Sequence, residues 1–189
     1  MAQIRFATLE DVLDVKNIID EGISENYYTK EDIIDYITDD NKFLLVVVSE
    51  DDKPISAMFC AKGGLKEMCD NERIPYPDSV FDKYNENTKT IVYKTASTYN
   101  HLRSKGYVGW LFEEYNNIFN DIDHEIRIGL ALILPDGEVP IRKLVEKYDF
   151  KPAKVFEMPW HNLKSYCWYC KKDFCECNGL LYIKENNVE

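Results

Sequence analysis

The chain has 189 residues, 45% of them apolar, which is enough for one domain with a full hydrophobic core and excludes disorder by composition. Its formal charge is −11, with ten basic and twenty acidic residues in 1–90 and thirteen and fourteen in 91–189. Such a surface repels nucleic acid phosphates and anionic lipid, and it suits a cationic partner such as an amine. No apolar run reaches the roughly 20 residues of a bilayer span. The opening Met1-Ala2-Gln3-Ile4-Arg5-Phe6 lacks the apolar stretch and cleavage site of an export signal, so the expected location is cytoplasmic.

Ile4 to Ala7 reads as a first strand. Thr8, with Asp11 three residues on, is a capping-box-like helix start before Val12, Val15, Ile18 and Ile19 at helical spacing. Thr29 and Asp32 repeat that signal before Ile33, Ile34, Tyr36 and Ile37. Residues 43–48, Phe-Leu-Leu-Val-Val-Val, have the continuous apolar character of a strand buried on both faces. Asp51-Asp52-Lys53-Pro54 is a turn, and Ile55 to Ala61 is the returning strand.

Residues 63–90 open with Gly63-Gly64, are interrupted by Pro75 and Pro77, and read as a long surface connection with a short helix near 80–84. Thr90 to Ala96 is a strand, residues 108–119 an amphipathic helix, Ile126 to Leu134 a buried strand, and residues 139–148 a late helix. Residues 153–158 and 179–184 read as two more strands with a cysteine cluster between them. The whole, 1–189, is expected to be one α/β domain with a mixed sheet.

Arg103-Ser104-Lys105-Gly106-Tyr107-Val108-Gly109-Trp110 lies between a strand and the amphipathic helix. The first N–H groups of a helix have no partner within it, and with the helix dipole they favour an anion. Gly106 and Gly109 are expected to admit left-handed backbone and close approach of a ligand. Arg103 and Lys105 add positive charge to an acidic chain. The combination suits a diphosphate, whereas the glycine spacings of dinucleotide and P-loop motifs are not met.

At this point the sequence resembles the GCN5-related N-acetyltransferase (GNAT) family. The family signature is Arg or Gln, two residues, Gly, one residue, then Gly or Ala. Arg103-Ser104-Lys105-Gly106 matches its first four positions, Val108 departs from it, and a glycine is displaced to Gly109. Ile4 to Asp11, Val46 to Cys60, and Ile141 to Phe150, ending Val145-Glu146-Lys147-Tyr148-Asp149-Phe150, also look similar to family segments, in the same order, so the likeness covers about residues 2–158. It implies an acyl-CoA N-acyltransferase-like fold, with a mostly antiparallel central sheet flanked by helices. It also implies acetyl-CoA as co-substrate, with the pyrophosphate on the amides from Ser104 to Trp110 and the pantetheine beside Ala96, Ser97 and Thr98. An amine of a small molecule or peptide would attack the thioester directly, aided by proximity and by a polarised carbonyl.

The same likeness leaves the acid and base open. Family members often carry an acidic tyrosine on the late helix where this chain has Val145; Tyr148, one turn on, is the candidate proton donor. Residues 90–98 hold no carboxylate for the family's base on that strand, which leaves Glu138 or Glu157 acting through water. His101 and His124 read as surface residues, and Cys60 and Cys69 as buried or incidental thiols.

Cys167, Cys170, Cys175 and Cys177 are four thiols within eleven residues, a spacing that suits one tetrahedral structural zinc. Free thiols, two disulfides or an iron–sulfur cluster are the alternatives. Tyr166, Trp168, Tyr169 and Phe174 surround them, and in the resembling family this region lines the acceptor pocket or forms a homodimer contact. Beside the transferase reading stand a non-catalytic acyl-CoA-binding sensor or scaffold, and a zinc-knuckle module with Lys164, Lys171 and Lys172 on its surface, against which the net charge argues where nucleic acid is the partner.

Overall fold

A computed structural model describes residues 2–25, 27–76, 78–163 and 166–186; Lys164 lies outside them. Among the described residues the strands are β1 (Gln3–Phe6), β2 (Lys42–Val48), β3 (Pro54–Gly64), β4 (Lys89–Thr98), β5 (Ile126–Ile133), β6 (Lys151–Phe156) and β7 (Asn178–Glu185). The helices are α1 (Val12–Gly22), α2 (Lys30–Thr38), α3 (Leu65–Asn71), α4 (Asp78–Phe81), α5 (Tyr107–Asn120) and α6 (Arg142–Lys147). The strands form one sheet in the order β1-β2-β3-β4-β5-β7-β6. Pairing is antiparallel for β1–β2, β5–β7 and β6–β7 and parallel for β4–β5. The fold is the expected α/β class, a mostly antiparallel sheet flanked by helices.

By internal contacts the chain divides into two compact units, each drawn from two stretches: 1–60 with 95–122, and 61–94 with 123–189. In the first unit the two capping boxes are present. Asp32 Oδ2 accepts from the Thr29 amide at 2.8 Å, and Asp11 Oδ2 accepts from the Thr8 amide at 2.7 Å. Asp11 also takes a two-pronged contact from Arg5 at 2.6 and 3.0 Å. Burial pushes the Asp11 carboxyl up, but the hydrogen bonds from Arg5 and Thr8 outweigh it and hold it below the usual range. The apolar faces of α1 and α2 close on β2 and β3 through Val15, Ile19, Ile33, Tyr36, Val46 and Phe59.

Helix α5 buries Leu111, Phe112, Tyr115 and Phe119, one amphipathic face. The Tyr115 hydroxyl donates to the Met58 carbonyl at 2.8 Å and accepts from the Leu45 amide at 2.9 Å. It thereby satisfies one buried backbone group on each of β2 and β3.

In the second unit residues 63–90 are not a surface connection. Leu65, Met68 and Cys69 recur at helical spacing on α3 and are buried with Ile74, Phe81, Val92, Ile126, Ile128 and Leu181. Each such side chain contributes about 1.5–3 kcal/mol on burial, so the stretch forms part of a core. The short helix here is α4, slightly ahead of its expected place. The late helix is also shorter than the expected 139–148: the Arg142 amide donates to the Val139 carbonyl in a turn through Pro140, and α6 begins only at Arg142.

Candidate active site

β4 ends at Thr98 and a 3-10 turn, Asn100–Leu102, leads into the loop before α5. Gly106 caps α5 with φ +82, and Ser104 has φ +67. A Cβ on Gly106 would meet nothing within 4 Å, so the glycine is there for its backbone angle and not for space. Gly109, expected to share that freedom, is instead a residue of α5 and has no positive φ. Trp110 already spends its amide on the Gly106 carbonyl at 3.1 Å. Helix geometry leaves the amides of Tyr107, Val108 and Gly109 without an intrahelical acceptor. Unlike α1, α2 and α3, α5 has no acidic residue in its first turn, so nothing there offsets the positive end of the dipole.

The loop is tied to α1. The Arg103 guanidinium donates to the Gly22 carbonyl at 3.0 Å, and the Asn100 amide donates to Glu21 Oε1 at 2.6 Å. The Ser97 hydroxyl donates to the Ile18 carbonyl at 3.1 Å. α1 comes so close that a Cβ on Gly22 would lie 2.0 Å from Ser97 Oγ. Arg103 therefore holds the loop in place by a backbone bond, while Lys105 is exposed beside it. On β4, Ser97 and Thr98 are buried and Ala96 is half-buried; Thr98 Oγ1 lies 2.7 Å from Ser56 Oγ.

In the second unit the parallel register of β4 with β5 runs from Thr90↔Ile126 to Tyr93↔Gly129. Val145 is buried on α6, and Tyr148 is the half-buried residue that ends this helix, with φ −102 and ψ 25. Asp149 follows in the left-handed region at φ +66. Tyr148 has thus left the helix, so the one-turn offset from Val145 does not fix where its side chain points. Glu138 and Glu157 are exposed. His101 is exposed, but His124, read as a surface residue, is buried and accepts from Arg127 Nε at 2.8 Å.

No protein-family model matches the sequence, and no curated protein matches it. Solved structures do. Arabidopsis thaliana NAA60 in complex with a bisubstrate analogue is similar with a TM-score of 0.71 at 12% identity, over 100% of each chain. A GNAT superfamily phosphinothricin acetyltransferase from Sinorhizobium meliloti, in complex with acetyl-CoA, is similar with a TM-score of 0.64 at 11% identity, over 97% of this chain and 88% of that one. A Drosophila melanogaster polyamine N-acetyltransferase, which catalyses the formation of N-acetylagmatine, is similar with a TM-score of 0.63 at 10% identity, over 98% and 100%. The fold is that of the GNAT acetyltransferases.

On this GNAT fold the connection from β6 to β7 carries the cysteine cluster. The Cys167 amide donates to the Lys172 carbonyl at 2.9 Å, and Lys171 turns the chain at φ +57. The Sγ atoms of Cys167, Cys170, Cys175 and Cys177 all lie within 4.8 Å of one another, and Cys167 Sγ is 4.0 Å from Cys177 Sγ. A tetrahedral zinc with bonds of about 2.3 Å needs sulfur–sulfur edges of about 3.8 Å, so the four donors fit with small adjustment. Tyr166, Trp168 and Phe174 are exposed around them.

Strand β4 carries no carboxylate from Thr90 to Thr98, but it does carry a buried lysine. Lys94 Nζ donates to the backbone carbonyl of Glu72 and lies 3.7 Å from Glu72 Oε2, with only 10% of the Lys94 side chain and 5% of that of Glu72 exposed. Burial pulls the Lys94 ammonium down to about 8; Glu72 opposes that pull and Arg73 adds to it. No local pattern marks this pair, because only the folding of α3 brings residue 72 to residue 94.

Proposed function

We propose that the protein is an N-acetyltransferase that moves the acetyl group of acetyl-CoA to an amine of a small molecule or peptide by direct attack. The observation that carries this reading is the start of α5: a left-handed Gly106 followed by three helix amides without intrahelical partners and no acidic side chain, on a GNAT fold. The amides of Tyr107, Val108 and Gly109 would take the pyrophosphate, with Ser104, Lys105 and Gly106 forming the approach. Arg103 would hold that loop, Trp110 would flank it, and the pantetheine would run along Ala96, Ser97 and Thr98. Likeness to enzymes that act on amines, and the acidic excess of residues 1–90, support a cationic acceptor.

The leaving thiolate needs a proton, and Tyr148 is the proposed donor. Zinc on Cys167, Cys170, Cys175 and Cys177 is proposed as structural: four protein ligands leave no open position, and the ion would stand in for an apolar core between β6 and β7. A second reading, a non-catalytic acyl-CoA sensor, draws support from the buried Val145, which has no hydroxyl to give. Calorimetry with acetyl-CoA tests cofactor binding, and thiol release from acetyl-CoA with a panel of polyamines, amino acids and peptides separates transferase from sensor. Absence of acetyl-CoA binding overturns both readings.

A further inference from the structure

The four thiols of the β6–β7 connection differ in what can reach them. Cys167, Cys175 and Cys177 are buried and pack with Leu132, Trp160 and Tyr169. Cys170 is only half-buried and sits at a turn of the chain, just before Lys171 at φ +57. Its sulfur is nonetheless within 4.8 Å of each of the other three. An accessible thiol with further thiols beside it is the arrangement of an oxidisable cysteine and its resolving partners. Cys60 and Cys69, elsewhere in the chain, are both buried, so an oxidant in water meets neither.

Two states of these four sulfurs exclude each other. Around one zinc ion their edges would be about 3.8 Å, close to the 4.0 Å between Cys167 and Cys177. A disulfide needs about 2.05 Å, so bonding any pair draws it out of the tetrahedron. The change would not be lost in a free loop. A Cβ on Gly179, the second residue of β7, would lie 2.9 Å from Pro159 Cγ, so the connection passes directly against that strand.

We infer that the cysteine knuckle is a peroxide-sensitive modification site, with Cys170 the residue attacked first. Its zinc-releasing half rests on the proposed zinc site; its disulfide half rests on the thiols alone. The Cys170 thiolate attacks one oxygen of the peroxide and the O–O bond breaks. Cys170 becomes a sulfenic acid, and the departing hydroxide takes a proton to form water. A neighbouring thiolate, from Cys167, Cys175 or Cys177, attacks that sulfur. The S–O bond breaks, a disulfide forms, and a second hydroxide leaves as water. A second peroxide joins the remaining pair in the same way. Altogether four thiolates are oxidised to two disulfides, two peroxides are reduced with four protons to four waters, and the zinc ion is released.

The test uses the full chain, loaded with zinc under reducing conditions and then freed of reductant. Hydrogen peroxide is added with a chromogenic chelator that leaves the untreated protein loaded, and unreduced peptides are mapped by mass spectrometry. The expected result is about one zinc released per two peroxides consumed, with disulfides confined to the four clustered cysteines and Cys60 and Cys69 still thiols. Dimedone, which traps sulfenic acids, should label Cys170 before the three buried cysteines. Dithiothreitol with added zinc should restore the loaded protein. Zinc-loaded protein that keeps its metal and its thiols under peroxide, or in which a buried cysteine is labelled first, overturns this inference and leaves the structural zinc standing. Metal-free protein that still joins Cys170 to a neighbour overturns the zinc reading and keeps the modification site. Protein that shows neither metal nor disulfide overturns both.

Discussion

The Arg103 guanidinium donates to the Gly22 carbonyl at 3.0 Å, joining the loop before α5 to the end of α1. That carbonyl is one that a helix end leaves without an internal partner, and a cation is favoured beside it. Replacing Arg103 with Met keeps the apolar stem and removes the donor. The expected cost is about 0.5–1.5 kcal/mol of stability, together with weaker acetyl-CoA binding because the loop is less fixed. Thermal unfolding and calorimetry on one preparation check both; a variant unchanged in each would mean that Arg103 does not hold the loop.

Gly106 should be sensitive for a different reason. Space is open around it, so a side chain there meets only the strain of φ +82. Gly106→Val should lose about 1–2 kcal/mol from that angle, remain folded, and bind acetyl-CoA about tenfold or more weakly as the loop relaxes. Gly106→Asn, which tolerates the left-handed region, should lose less of both. Undiminished binding by the valine variant would remove the loop from the cofactor site.

Tyr148→Phe removes only a hydroxyl. With Tyr148 as donor to the thiolate, turnover should fall by about 10²–10⁴. The aromatic ring beside Lys147 is retained, so stability should change little. A loss below about threefold, with acetyl-CoA affinity unchanged, would return Tyr148 to a packing role at the end of α6.

Protein purified under reducing conditions should contain one zinc per chain by elemental analysis. Stripping the metal should raise hydrogen exchange in 167–177, β6 and β7 more than elsewhere, because the ion would replace an apolar core there. Cys175→Ser should lower zinc occupancy and reproduce that pattern. Metal-free protein with unchanged exchange would leave the four thiols as unligated neighbours.

Much of the fold is written in local signals. Thr8 with Asp11 and Thr29 with Asp32 announce helix starts, and the apolar runs of β2 and β5 announce buried strands, because capping and burial act over a few residues. α3 is harder to read: its three buried positions fit into one turn, among Lys66, Glu67 and Asp70 and after a Gly-Gly pair. The cofactor loop could be placed from its glycine and its helix, yet the helical state of Gly109 follows from where α5 begins, one or two residues that no pattern fixes. His124 and Lys94 were not readable at all. Their burial depends on partners from other elements, Arg127 for one and Glu72 for the other, and burial of a polar residue is a tertiary fact.

Among the described residues strand β7 follows β6 in sequence but lies between β5 and β6, pairing with one from Ile126↔Glu185 to Ile133↔Asn178 and with the other from Lys151↔Ile183 to Phe156↔Gly179. Without β7 the facing edges of β5 and β6 would both be bare, and β6 would lose its neighbour in the sheet. Such edges invite pairing with other chains. A chain cut short before residue 178 would leave β6 without its neighbour and both edges open to that pairing.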